Sequence, residues 1–221
     1  MLKKARKTLS DKGPFLIYCA EIIRERTMTA QANIDPHLKK LLDGNKRYVS
    51  GNLKHPRQGE RRRKQVVKGQ SPFAVIVGCS DSRIPPEIIF DQGLGDLFVI
   101  RVAGNIVDDV AMGSVEYAVD HLGTTLVVVL GHGSCGAVTA CAQGGEAHGH
   151  IASIMTAIKP AVAQAQSLEG HLVDNAIRVN VNLMAEKIRS TGPNLPGYIG
   201  EGKVTVVGAY YNIETGAVEV I

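Results

Sequence analysis

Two short stretches carry most of the residues that could do chemistry: "GCSDSR" (78–83) and "GHGSCG" (131–136). Between them they hold Cys79, His132 and Cys135, a set of two thiols and one imidazole. Zinc favours such ligands, and a site with three protein ligands keeps a fourth position open for water. Taken singly, each residue has an ordinary explanation. A buried cysteine is usually packing, and a lone histidine is usually a satisfied core or surface group. Taken together, at the ends of two apolar runs, they favour a metal.

The second stretch also spells GxGxxG through Gly131, Gly133 and Gly136, the layout of a dinucleotide-binding turn. That reading needs an acidic residue about 20 positions on, at the end of the next strand, to hold a ribose. The following "GAVTACAQGGEAHGHIASIM" has no strand-like run; Glu146 comes too early and Glu169 follows a long helical stretch. The turn also sits on the third strand, not the first. Asp81 and Arg83 stand two and four residues beyond Cys79. An aspartate there could be a ligand itself, or an arginine could grip it bidentately. An Asp held in that way is oriented to accept a hydrogen bond from water on the metal. The bland alternative is a surface salt bridge. The remaining histidines (37, 55, 121, 148, 150 and 171) lack such company, although "HGH" at 148–150 could bind metal adventitiously. None stands out as a proton shuttle. Core packing is the default for Cys141, and Cys19 is ambiguous.

The elements that must position these residues are legible from periodicity. Asp35-Pro36 opens a helix ended by Gly51; a linker over 51–56 leads to a second helix over about 57–68. "FAVIVGC" (73–79), "DLFVIRV" (96–102) and "TTLVVVLG" (124–131) are continuous apolar runs, the pattern of strands buried on both faces. Helical stretches cover 110–123, 134–142, 148–168 and 172–190, and 203–221 reads as a hairpin turning at Glu214-Thr215-Gly216. Strands alternating with helices predict an α/β fold: a mainly parallel central sheet flanked by helices, with an N-terminal helical arm and a C-terminal hairpin. Ligands of such sheets sit beyond the carboxyl ends of the strands, where both stretches fall. The division is an extension over 1–33, a poorly ordered segment ahead of the fold; an arm over 34–70; and an α/β core over 71–221 that carries the candidate zinc ligands.

Composition removes several classes. With 221 residues and 44% hydrophobic content the chain can bury a sizeable core. No apolar run approaches the 18–20 or so residues of a membrane helix. "GPFLIYCAEII" (13–23) is short, carries Glu21 and is followed by no small-residue cleavage site, so targeting is disfavoured and Met28 is an alternative start. Four cysteines are too few for a disulfide scaffold and fit cytoplasmic thiols or metal ligands. Charge is lopsided: residues 1–70 hold 18 Lys+Arg against 6 Asp+Glu, residues 71–221 hold 7 against 15. "RQGERRRKQVVKGQ" (57–70) has no interleaved aromatics to stack on bases, which argues against a nucleic-acid partner. A solvated helix face, or a basic arm packed on an acidic body, accounts for it.

"GCSDSR" followed by "GHGSCGAV" resembles the β-class carbonic anhydrases. The likeness runs from about Asp35 to Ile221 and includes "LLDGNKRYVSG", "GDLFVIRVAGN", "GSVEYAVDHLG" and "VVGAYYNIETGAVEV". It implies one zinc ion per subunit held by Cys79, His132 and Cys135, with Asp81 and Arg83 as a catalytic dyad that orients hydroxide on zinc. The implied reaction is reversible hydration of carbon dioxide to bicarbonate and a proton. The resemblance further implies Gln70, Phe98, Tyr117 and the Gly136 amide at the substrate, the tyrosine coming from a partner subunit. It implies a homodimer, or a dimer-based oligomer, in which the arm embraces its neighbour. The chain departs from the family at "RVAGN", with Val102 and Gly104 where Asn and Ala are usual. It has no Trp, which favours the plant-like open form over the subgroup that holds an inhibitory bicarbonate beside a tryptophan. Alternatives on the same scaffold are hydrolysis of carbon disulfide or carbonyl sulfide, and a non-catalytic zinc-stabilised structural protein.

Overall fold

A computed structural model describes residues 35–144 and 147–221; the extension with Cys19, and Glu146, lie outside the described residues. The described chain opens with α1 (Pro36–Val49) and α2 (Glu60–Gln65). It then runs β1 (Ala74–Gly78), α3 (Pro86–Ile89), β2 (Leu97–Arg101), a 3-10 turn (Ala103–Asn105), α4 (Asp109–Asp120), β3 (Leu126–His132) and α5 (Gly136–Ala142). It closes with α6 (Ile151–Ala165), α7 (Leu172–Ser190), α8 (Leu195–Gly200), β4 (Thr205–Tyr211) and β5 (Val218–Val220). The sheet order is β2-β1-β3-β4-β5. All pairs are parallel except β4 with β5, the antiparallel C-terminal hairpin.

The continuous apolar runs have a simple physical origin. Side chains alternate across a strand, and helices cover both faces of this sheet. Ala74, Ile76, Leu126, Val128 and Leu130 enter one core with α5 and α6. Val75, Val77, Val127 and Val129 enter the other with α4. Helix α7 serves both: Ala176 and Ile177 join the first core, Val181, Met184, Ala185 and Ile188 the second. Where helix α4 begins, Asp108 caps it by accepting from the Ala111 amide at 2.8 Å.

The differences from the expected elements are local. Helix α2 is shorter than the predicted 57–68 and buries none of its residues. Its sequence, ERRRKQ, has no apolar stripe to hold further turns, and Arg57 takes a positive φ of 54°. The stretch expected at 134–142 becomes helical only at Gly136, because Cys135 is extended (φ −67°, ψ 116°). Helices α3 and α8 escaped periodicity because four and six residues are too few to show it.

Helix α1 docks on its own chain. Leu41 is fully buried, and the Asn45 amide donates to the carbonyls of Ile89 and Gly216 while its oxygen accepts from the Val218 amide. Arg47 grips buried Asp91 at 2.6 Å. Among the described residues, no helix is long and apolar enough to cross a membrane.

Candidate metal centre

In the parallel ladder Gly78 pairs with Leu130. β1 ends there, so Cys79 leaves the sheet beside Gly131, while β3 runs on to its last residue, His132, still paired with Tyr211 of β4. Cys79 is 5% exposed, His132 0% and Cys135 1%. The two sulfurs lie 4.0 Å apart, and the three ligand atoms all lie within 4.8 Å of one another. Two sulfurs on a tetrahedral zinc with Zn–S bonds near 2.3 Å would be about 3.8 Å apart.

The imidazole is set for coordination. Its Nδ1 is 2.9 Å from the Gly133 carbonyl oxygen. A carbonyl only accepts, so Nδ1 carries the proton and Nε2 the lone pair. That Nε2 is buried without a hydrogen-bond partner. An orphaned acceptor is costly in a protein interior, and one aimed at two thiols fits a cation. Cys79 also has a backbone donor: the Gly104 amide lies 3.2 Å from its Sγ. Cys135 is the N-cap of α5, with no helix amide bonded to its side chain. The Cys135 thiol donates to Cys79 and, against burial, holds the Cys79 thiol down at about 3, with backbone amides adding to this. The same bond, with burial, pushes Cys135 upward. A divalent cation favours both thiolates at once, since it takes the place of the shared proton.

Asp81 stands beside this group, its Oδ2 4.0 Å from His132 Nε2. Arg83 holds it with a fork, Nε to Oδ1 at 2.9 Å and Nη2 to Oδ2 at 2.8 Å, and donates its amide to Oδ1 at 3.0 Å. That grip, the arginine's side chain foremost, keeps the Asp81 carboxyl well below the usual carboxylate range. Arg83 Nη2 also reaches the Ser134 carbonyl at 3.2 Å, tying the two loops together. Arg101 secures the first loop from behind through the carbonyls of Cys79 and Asp81.

The expected substrate residues are more dispersed. Gly136 opens α5 next to Cys135, exposed and with open space over its Cα. Gln70 is exposed on the segment between α2 and β1. Phe98 pairs with Val75, so it lies four residues, roughly 13 Å of strand, short of the level of Cys79. Its ring packs 6.3 Å from that of Tyr117, which is 48% exposed on α4 and 5.1 Å from His121. The chain thus gathers Cys79, Asp81, Arg83, His132, Cys135 and Gly136, and sets Phe98 and Tyr117 apart as a pair. Arg101, the Gly104 amide and Asn180 were not singled out from sequence. The signals present were the "RVAGN" departure and an asparagine within the apolar face of "IRVNVNLM".

Two of the three glycines of "GHGSCG" have a packing explanation. A Cβ on Gly131 would come 2.4 Å from Val181 Cγ2, and one on Gly133 would come 2.8 Å from the Tyr210 hydroxyl. Both serve close approach, beneath α7 and beside β4, and owe nothing to a pyrophosphate.

Fold and site together define an α/β protein with a Cys2His group and a clamped carboxylate where its parallel strands end. The model of the family described as carbonic anhydrase matches residues 74–218. A carbonic anhydrase of Mycolicibacterium smegmatis is 39% identical over 185 residues, covering 82% of this chain and 90% of its own. Carbonic anhydrase 2 of Mycobacterium tuberculosis is 38% identical over 182 residues, covering 80% and 88%. Among solved structures, the β-carbonic anhydrase CcaA superposes with a TM-score of 0.66 at 27% identity, over 83% of this chain and 94% of that one. The chain belongs to the carbonic anhydrase family, in its β class.

Proposed function

We propose that the protein catalyses the reversible hydration of carbon dioxide to bicarbonate and a proton, with zinc held by Cys79 Sγ, His132 Nε2 and Cys135 Sγ. The observation that carries this reading is the buried, unpartnered His132 Nε2 facing two buried sulfurs, with a clamped carboxylate 4.0 Å away. When bound, zinc supplies the Lewis acidity that lowers the pKa of a water from 15.7 to about 7, giving a nucleophile at neutral pH. Asp81 acts on that nucleophile as an acceptor. Its carboxylate is kept ionised and fixed by Arg83, so it takes a hydrogen bond from the attacking oxygen and aims the remaining lone pair at the carbon of CO2. The Gly136 amide donates to the developing bicarbonate. Gln70 contributes a further hydrogen bond, and Phe98 and Tyr117 supply the apolar wall.

Because Phe98 and Tyr117 lie well short of Cys79 along their own chain, the wall belongs to a site shared between two copies, which makes the enzyme a homodimer or a dimer-based oligomer. The bidentate Arg83–Asp81 grip supports the open form, since the same carboxylate is then not a zinc ligand. Among the described residues, three buried free cysteines fit a reducing compartment such as the cytoplasm. Zinc analysis together with stopped-flow CO2 hydration by the purified protein tests the reading. A zinc-loaded protein that leaves CO2 untouched and cleaves carbon disulfide would assign it instead to the hydrolases of that scaffold; one inert to both would assign it a structural zinc.

A further inference from the structure

Asn180 is an anomaly of α7. It is completely buried, with Ile177, Val181 and Met184 as buried neighbours on the same helix. An amide in such surroundings is unfavourable unless it makes hydrogen bonds that matter. Its Oδ1 has no partner, so the residue is not there to complete a polar network. Its Nδ2 donates to the Gly104 carbonyl at 2.9 Å. On the far side of the 3-10 turn, the amide of that same Gly104 points at Cys79 Sγ from 3.2 Å. Gly104 has φ +72° and ψ 21°, a left-handed conformation that turns its N–H to one side and its C=O to the other. Two bonds thus run from the core of a helix, through one residue, to a sulfur of the metal centre.

We infer that Asn180 is a positioning residue for the Cys79 thiolate, acting through Gly104. The inference rests on the zinc-binding reading above. By fixing the Gly104 carbonyl, Asn180 holds the amide on the sulfur. An N–H donated to the sulfur fixes where it stands relative to the other two ligand atoms and stabilises its lone pairs. Losing that bond costs metal affinity, because the sulfur is no longer held in place, and raises the energy of the lone pairs, which lowers the energy of sulfur-to-metal charge transfer. Partners of this kind, one bond removed from a ligand, typically change metal affinity or activity by about 10- to 100-fold when lost.

The segment just after the turn has two bonds of its own to α7, which supply the control. Lys187 Nζ donates to the Val107 carbonyl at 2.7 Å, and the Val107 amide lies 3.3 Å from Met184 Sδ. Lys187→Met loosens the same segment without touching Gly104. The experiment uses full-length Asn180→Leu, which keeps the bulk and removes the donor, beside Lys187→Met and wild type. Zinc affinity is read by chelator competition, and the sulfur-to-metal charge-transfer band is read on the cobalt(II) form.

The expected result is zinc affinity about 10- to 100-fold weaker in Asn180→Leu and a charge-transfer band moved to longer wavelength, with Lys187→Met at wild-type values. Wild-type affinity and band position in Asn180→Leu would overturn the inference, as would equal shifts in both variants, which mean segment anchoring only. If Asn180→Leu fails to fold, Asn180→Asp, which keeps the shape and loses the amide donor, is read by the same criteria. A wild type that binds no zinc refutes the underlying reading; a wild type that binds zinc beside an unaffected Asn180 variant refutes only the inference.

Discussion

At the residue scale, the site separates holding a metal from using it. Cys79 has no substitute among the described residues, because the one free thiol there outside the site, Cys141, is turned to the Met155 carbonyl. Cys79→Ser is therefore expected to lose bound zinc and CO2 hydration together, read by elemental analysis and stopped-flow on the same preparation. Asp81→Asn is expected to part the two. The amide keeps the shape and one acceptor but not the charge that Arg83 grips, so zinc stays and turnover falls about 100-fold or more. A zinc-loaded Asp81→Asn protein turning over at the wild-type rate would show that the dyad has no catalytic role. What was legible here followed the chemistry of the side chains. Cys79, His132 and Cys135 stood out because thiols and an imidazole at strand ends are rare. The Gly104 amide was invisible, since backbone donors leave no mark on residue type and only a positive φ aims this one. Asn180 was visible only as a polar interruption of an apolar face.

At the scale of elements, α1 is held by two features that react differently to change. Gly44 lies against α3, where a Cβ would sit 1.8 Å from the Phe90 carbonyl oxygen. Backbone cannot yield as a side-chain tip can, so Gly44→Ala should lower stability by about 3 kcal/mol, the upper end for overpacking. Gly69→Ala, with nothing within 4 Å of its Cβ, is the neutral comparison in urea unfolding. The second feature is Asp91, whose carboxylate meets Arg47 and the amides of Lys54 and His55. Burial pushes its pKa up, but the Arg47 bond and the two amides outweigh burial and leave it lowered. A lowered folded pKa means the carboxylate stabilises the fold above its unfolded pKa, near 4, and ceases to as pH falls through the folded value. The urea midpoint of wild type should thus drop as pH falls below about 4, and Asp91→Asn, less stable at neutral pH, should show a shallower drop. Periodicity revealed the strands and long helices because both faces of the sheet are covered. It missed α3 and α8, and it overextended α2, whose ends are set by turn geometry and not by an apolar stripe.

At the scale of the whole molecule, one edge of the sheet poses a question that the single chain does not answer. Strand β2 is the edge, and among the described residues no strand pairs with its outer side. Its sequence, LFVIR, carries no proline and no charge before Arg101, so it lacks the usual protection of an open edge. Beside it, α4 presents Val110 at 80% exposure and Tyr117 at 48% on one face, seven residues and so about two turns apart. A second copy lying over this edge would cover the strand and α4 together and bring a Tyr117 to the other chain's metal centre. Val110→Glu tests that arrangement without altering any residue proposed to touch substrate. Sedimentation velocity should find wild type as a dimer or larger and Val110→Glu shifted toward monomer. Zinc content should hold, because all three ligands come from one chain, while CO2 hydration falls in step with the fraction of monomer and recovers as concentration rises. A monomeric, zinc-loaded Val110→Glu protein with full turnover would mean that each chain builds its pocket alone. The apolar edge would then have to be explained by something other than catalysis.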